Sequence, residues 1–303
     1  MKSLLWQQAR HKKLVWLSLL VILVFAGVAA LAPILAPHNP YRWNLSQSYL
    51  PPLWVQNTAQ QGSPEFPLGT DYYGRDILSR LFWGTRTGFL LAVTAVSLTA
   101  LIGTSMGLVS GYLGGKIEAG VTFLTELVQS VPGLMFMVMI VLVFRYSLEP
   151  TWFNGFLTLV VGYTAVGWAS LARLVRVSVQ QIRTQLYIEA AVSIGASKGR
   201  IVFRHILPNI RHVILVWIIN AIPAVIMLEV LLGYIGIGMT RATEGDEFTV
   251  ISWGGLFFDG RKMLTGNPLV VILPSVCILL ISMSFILLAD FLNDARLPDK
   301  TLR

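Results

Sequence analysis

The chain alternates long apolar runs with shorter polar ones, and a membrane-crossing helix needs about 20 mostly apolar residues in a row. Six stretches meet that length: residues 14–36, 88–113, 120–144, 155–174, 213–237 and 269–288. The third carries Glu126 and Gln129 in its first half, so its embedded part is expected to begin late. Pro132 and Pro223 predict kinks in the third and fifth runs. Gly103, Gly107 and Gly111 recur every four residues along the second. Such small-residue spacing admits a close helix neighbour, within this chain or outside it.

Composition agrees with the pattern. Of 303 residues, 55% are hydrophobic and 13% charged, with a mean hydropathy of +0.68. Soluble domains carry about 25% charged residues, so soluble enzymes, disordered chains and nucleic-acid modules are disfavoured. Six spans put both ends on one side. That side would hold fifteen Lys and Arg residues, the other only eight, matched there by eight acidic ones. The inside-positive rule therefore predicts both termini in the cytoplasm and assigns the net charge of +8 to membrane orientation rather than nucleic acid. Arg10, Lys12 and Lys13 resemble the start of a signal peptide. The run after them exceeds the usual 7–15 residues, and Pro33 follows the only small-residue site, so a retained helix is expected.

Three polar segments remain. Residues 37–87 are proline-rich early, while Arg75 to Arg86 mixes arginines with Leu78, Leu81, Phe82 and Trp83, which predicts a short amphipathic helix at the interface. The stretch before Pro268 carries Glu244, Asp246 and Glu247, either solvated surface or a contact with an external partner. The third, within the basic half of the chain, has apolar residues at Leu186, Ala190, Val192 and Ile194, then at Ile201, Val202, Ile206 and Leu207. Gly195 interrupts the pattern, Ser197 can cap a second helix, and Pro208 is expected to end it. The reading is helix, glycine turn, helix, in a segment long for a simple connector.

Recognisable catalytic chemistry is absent. Ser110 to Ile117 falls short of a phosphate-binding loop, lacking its first glycine and its final Ser or Thr. There is no His-Glu-x-x-His, no Gly-x-Ser-x-Gly and no zinc-spaced Cys/His set, and the lone Cys277 excludes an intrachain disulfide. Glu229 is the ionisable residue deepest in a span; it is read either as a hydrogen-bonding group toward a neighbouring subunit or as part of a pathway.

The polar segments carry a resemblance. Ile188-Glu189-Ala190-Ala191, then Gly195-Ala196-Ser197, then Arg204-His205-Ile206-Leu207-Pro208-Asn209 resembles the EAA loop of ABC importer permeases. Leu68-Gly69-Thr70-Asp71 with Gly74-Arg75-Asp76-Ile77-Leu78-Ser79-Arg80 resembles the segment preceding the second span in their dipeptide and oligopeptide branch. Ser110 to Lys116, Leu232 to Gly238, Ser252-Trp253-Gly254 and Asp290 to Pro298 resemble later segments of that branch. The match runs through nearly the whole chain and is similar to the C-type permease of that branch. Met239 to Ile251 departs from it, being longer and acidic.

The resemblance implies an all-α membrane protein of the MetI-like permease fold in a bacterial plasma (inner) membrane. Its parts would be a cytoplasmic N-terminus (1–13), a first span (14–36), an external segment with an interfacial helix (37–87), a permease core (88–290) holding a coupling loop (178–210), and a cytoplasmic tail (291–303). It implies no catalysis, no metal and no cofactor on this chain. ATP and magnesium would sit on two P-loop ATPase subunits, identical or different. A second, B-type permease and an extracytoplasmic solute-binding protein would complete the importer in the lipid bilayer. The coupling residues would be Glu189, Ala190, Ala191, Gly195, Ala196, Ser197, His205, Leu207, Pro208 and Asn209. The external set would be Gly69, Thr70, Asp71, Gly74, Arg75 and Asp76. Peptides are the expected solute, with nickel, glutathione or another small solute carried by related machinery. A secondary transporter would instead want an inverted repeat and midplane charges, which the sequence does not display.

Overall fold

The computed structural model describes residues 2–55, 61–144, 155–239, 250–264 and 266–294. Ten helices follow in order among these: α1 (Lys2–Leu35), α2 (Ile77–Leu113), α3 (Gly115–Ser130), α4 (Gly133–Phe144), α5 (Phe156–Arg183), α6 (Leu186–Ser193), α7 (Lys198–Arg200), α8 (Leu207–Tyr234), α9 (Trp253–Gly260) and α10 (Leu269–Asp294). A π-helical stretch, Ile201–Ile206, joins α7 to α8. The only extended pairing among the described residues is an isolated bridge between Thr70 and Asp76. Five helices are long and apolar enough to cross a membrane, and α3 with α4 makes a sixth if the bent pair is one span.

Three expectations need correction. The interfacial helix is not separate: it is the first part of α2, which runs 37 residues without a break. Asp76 starts it, accepting the Leu78 and Ser79 backbone N–H groups at 3.3 and 3.0 Å. Of the arginines that made this segment look surface-seeking, Arg75 and Arg80 are buried because carboxylates of this chain meet them, and Arg86 is half-buried over the Trp83 ring.

The third span is broken rather than kinked, with an 88° bend between α3 and α4. Val131 precedes Pro132 and is extended, at φ −95 and ψ 135, as a residue before proline prefers. Finally, Pro208 ends nothing. The helix runs on from Lys198 to Tyr234 as one 37-residue element. Pro208 lies in the first turn of α8, and the wider π turn before it makes room for a ring that would collide with the preceding turn of an ordinary helix.

The core forms where small residues let helices meet. A Cβ on Gly107 would stand 2.6 Å from Val175 Cβ, and Gly103 and Gly111 lie as closely against Leu171 and Val179 of α5. The small-residue stripe is thus an internal α2–α5 seam. Buried Leu91, Ala95, Leu159, Ile226, Leu256 and Ile281 tie α2, α5, α8, α9 and α10 into one cluster. A second cluster, including Val175, Val179, Ile188, Ile201, Ile206 and Ile210, lies under α6 and the π stretch.

Candidate functional site

The helix–turn–helix forms an elbow. Gly195 has φ +84, where a side chain would strain the backbone. Its N–H donates to the Val192 carbonyl at 2.9 Å, and the Ala196 N–H to the Ala191 carbonyl at 3.0 Å. Those two bonds are the glycine C-cap pattern in which the chain leaves α6 and reverses. The Ser197 hydroxyl then accepts the Arg200 N–H at 3.4 Å and starts α7. The Asn209 amide donates to the His205 carbonyl at 2.6 Å and to the Tyr187 hydroxyl at 3.3 Å, tying the start of α8 back to α6.

The elbow's faces divide cleanly. Ile188, Ala191, Ile201, Ile206 and Ile210 point inward. Glu189, Ala190, Gly195, Ser197, Pro208 and Asn209 are exposed, and Ala196, His205 and Leu207 are half-buried. Ala191, one of the coupling residues that the resemblance implied, is buried beneath its own helix, whereas Ala190 is exposed. The Glu189 carboxylate makes no hydrogen bond or ion pair among the described residues, and the Gly195 and Ala196 N–H groups of the turn, which it could have capped, donate instead to the Val192 and Ala191 carbonyls. Leu186, Ile194 and Phe203 stand 82%, 86% and 69% exposed. Leu186 and Ile194 were part of the apolar periodicity in the sequence, but their outward side was not legible there, and Phe203 was not part of that pattern.

On the far side of the bundle, the Gly69-to-Asp76 motif closes an ion cluster. Asp71 accepts the backbone N–H groups of Tyr73 and Arg75 at 2.8 and 3.0 Å. Its other oxygen takes Arg75 Nε at 2.6 Å and Arg80 Nη1 at 2.5 Å. Asp259 of α9 faces the same arginines, accepting Arg75 Nη2 and Arg80 Nη2 at 2.8 Å each and the Tyr72 hydroxyl at 3.1 Å. All four charged side chains are at most 4% exposed. Burial pulls the Asp259 carboxyl upward, but Arg80 and then Arg75 overrule it and hold it below the usual range. Arg75 is lowered, by burial and then by the Arg80 charge, against the pull of Asp71 and Asp259.

Gly74 turns the chain at φ +74, and a Cβ there would lie 1.8 Å from the Asn44 carbonyl oxygen. The Thr70 hydroxyl accepts the Leu50 N–H at 2.9 Å and donates to the Gln47 carbonyl. The motif is thus a clasp joining residues 44–53, the start of α2 and α9. Sequence reasoning missed Arg80 and Asp259 as members of this set. Arg80, four residues after Asp76, carried a local signal; Asp259 carried none.

Glu229 is buried in α8, where its Oε2 accepts the Gly254 N–H at 3.3 Å. One of its oxygens is thus held by this chain's own α9, while Oε1 is buried without a hydrogen-bond partner among the described residues. Gly254 and Gly233 pack backbone to backbone at the same point, and the Trp253 indole N–H donates to the Leu81 carbonyl at 3.2 Å. The acidic residues Glu244, Asp246 and Glu247 and the tail beyond Asp294 lie outside the described residues.

Residues 103–298 match the family described as binding-protein-dependent transport system inner membrane components. Residues 3–52 match the N-terminal transmembrane domain of oligopeptide transport permease C. Among characterised proteins, the chain is 30% identical to the oligopeptide transport system permease protein OppC of Bacillus subtilis, over 98% of this chain and 91% of that one. It is 31% identical to the dipeptide transport system permease protein DppC of Haemophilus influenzae, over 97% and 93% respectively. The Bacillus subtilis DppC is 30% identical, over 97% of this chain and 84% of its own length.

Proposed function

The chain belongs to the binding-protein-dependent transport system inner membrane components, and we propose that it is the membrane-spanning subunit of an ATP-driven peptide importer. It forms half of the translocation path, and a second permease of B type forms the other half. Two P-loop ATPases bind ATP and magnesium, and this chain binds neither. An extracytoplasmic binding protein delivers di- or oligopeptides to the face that carries the clasp. The elbow lies in the cytoplasm, on the side favoured by the basic residues.

The observation that carries this reading is the elbow itself. It exposes Glu189 on α6 and, at Leu186, Ile194 and Phe203, apolar surface that asks for a protein partner. Its second limb is continuous with a membrane helix. Closure of two ATPases on ATP would therefore push directly on α8, and the spans would rock between outward and inward access. Glu189, with no hydrogen bond or ion pair among the described residues, is available to a polar or basic group of the ATPase.

The test is to replace Glu189 by Ala and Gly195 by Asp and to measure peptide uptake beside ATP hydrolysis in the reconstituted complex. Uptake falls while hydrolysis and subunit recovery largely persist. Coupled transport at the normal ratio in Gly195→Asp would overturn the coupling role.

A further inference from the structure

Two cavities open along α8. One, of about 500 Å³, lies toward the elbow, between Leu174 of α5, Asn293 of α10, and His212, Val216, Trp217 and Asn220 of α8. The other, of about 760 Å³, lies toward the clasp, where Met227, Leu231 and Tyr234 of α8 face Phe257 of α9 and the wall of α10. At roughly 100° per residue, His212, Val216, Asn220, Met227, Leu231 and Tyr234 fall within about 100° of arc. The two cavities are therefore successive parts of one unfilled track along a single face of α8.

Asn220 stands midway along that track, about 20 Å from either end of the helix. It is exposed. One amide N–H donates to the Val216 carbonyl at 2.9 Å, which leaves the second N–H and the Oδ1 without a partner among the described residues. A primary amide at that depth is costly against acyl chains, so a water-filled path or another polar chain faces it. No Asp, Glu, Lys or Arg lines either cavity among the described residues. The track is neutral, polar in its elbow-side half at His212, Asn220 and Asn293, and apolar in the other. An amide offers the same donor and acceptor pair as a peptide bond. A neutral wall sorts little by side-chain charge.

We propose that this face of α8 lines the translocation path, and that Asn220 binds the main chain of the passing peptide halfway across the membrane. The peptide assignment rests on the importer reading above; the exposure of the face to a water-filled path does not.

The test uses the assembled importer, with its binding protein outside, in right-side-out membrane vesicles loaded with ATP. Cys277 is the only cysteine, so a Cys277→Ser parent accepts single cysteines at Asn220, at Met227 and at Leu215, which is exposed but about 110° around the helix from the track. A charged, membrane-impermeant thiol reagent labels Asn220→Cys and Met227→Cys. Tri-alanine slows the reaction at Met227→Cys, where the Asn220 amide is intact, and adding Asn220→Ala raises the tri-alanine needed for that protection by about fivefold, the scale of one hydrogen bond. Leu215→Cys reacts only with a lipid-soluble maleimide. Reaction of Asn220→Cys with the lipid-soluble reagent alone would make the face a bilayer contact and overturn the proposal. Labelling in the isolated chain but shielding in the importer, with or without peptide, would make it the seam with the second permease and overturn it equally. Water-accessible labelling that tri-alanine does not slow, in vesicles that take the peptide up, overturns the peptide contact. A parent that recovers its ATPases but takes up no tripeptide overturns the importer reading instead.

Discussion

Removing Asp259 tests whether the clasp is a structural unit. The cluster is neutral as folded: two arginines and two aspartates, joined by contacts of 2.5–2.8 Å and nearly sealed from solvent. Asp259→Ala leaves both guanidinium groups on Asp71 alone, with one buried positive charge uncompensated. Breaking a buried pair from one side costs about 3–5 kcal/mol. The Tyr72 hydroxyl also loses its acceptor, at about 1 kcal/mol. An exposed pair would cost about 0–1 kcal/mol. Together these come to about 4–6 kcal/mol, and at about 2–4 °C per kcal/mol the thermal midpoint of the purified complex should fall by roughly 8–24 °C, read by tryptophan fluorescence. Arg75→Met in the same chain restores neutrality and should recover part of the loss. A fall of under about 2 °C for Asp259→Ala, or a double variant as unstable as the sum of the singles, would refute the argument from buried charge.

Because the Asp259 carboxyl is held below its ordinary value, its contribution is present at neutral pH and is lost as pH drops through the lowered value. The difference in midpoint between the parent and Asp259→Asn should hold from neutrality down to about pH 4 and close below it, in a scan of midpoint against pH. Gly74→Ala forces a Cβ into the Asn44 carbonyl as well as straining φ. It should lower recovery of folded chain far more than Gly115→Ala, where φ is +58 but nothing lies within 4 Å and the cost is about 1–2 kcal/mol. Glu229→Leu leaves the Gly254 N–H buried without an acceptor, a loss of about 1–3 kcal/mol, whereas Glu229→Gln keeps an acceptor and should melt closer to the parent.

The spans were legible because run length is a local property and the bilayer sets it. The elbow turn was legible for the same reason: Gly195 and Ser197 act on their own backbone neighbours. What escaped the sequence depended on distant residues. The Arg75-to-Arg86 stretch has an amphipathic pattern whichever polar phase it meets, and only Asp259, 179 residues from Arg80, decides that the phase is a buried carboxylate. Pro208 looked like a stop because the rule counts the missing N–H. The π turn before it and the tie from Asn209 to Tyr187 carry the helix through. Pro132 was correctly placed in the third run, but the choice between a mild kink and an 88° break lies in how α3 and α4 each pack on α5. The Gly103-Gly107-Gly111 stripe predicted a close neighbour without naming it, since spacing records the need for a small residue and not the helix that fills the space.

These pieces join into one line of contact across the membrane. The elbow's second limb is the same helix that carries the Asn220 track and, further on, Glu229. Glu229 holds Gly254 at the start of α9, where Gly233 and Gly254 touch backbone to backbone. The end of α9 carries Asp259 into the clasp, and the clasp holds the first turns of α2. Packed interiors transmit displacement because they do not compress. Under the proposed mechanism, a push at Gly195 therefore moves α8, α9 and the external segment together, and the soft places in that line are few: the π turn at 201–206 and the bend-permitting Pro223. The surface that would meet the delivered solute and the surface that would meet the ATPase are thus ends of one mechanical element.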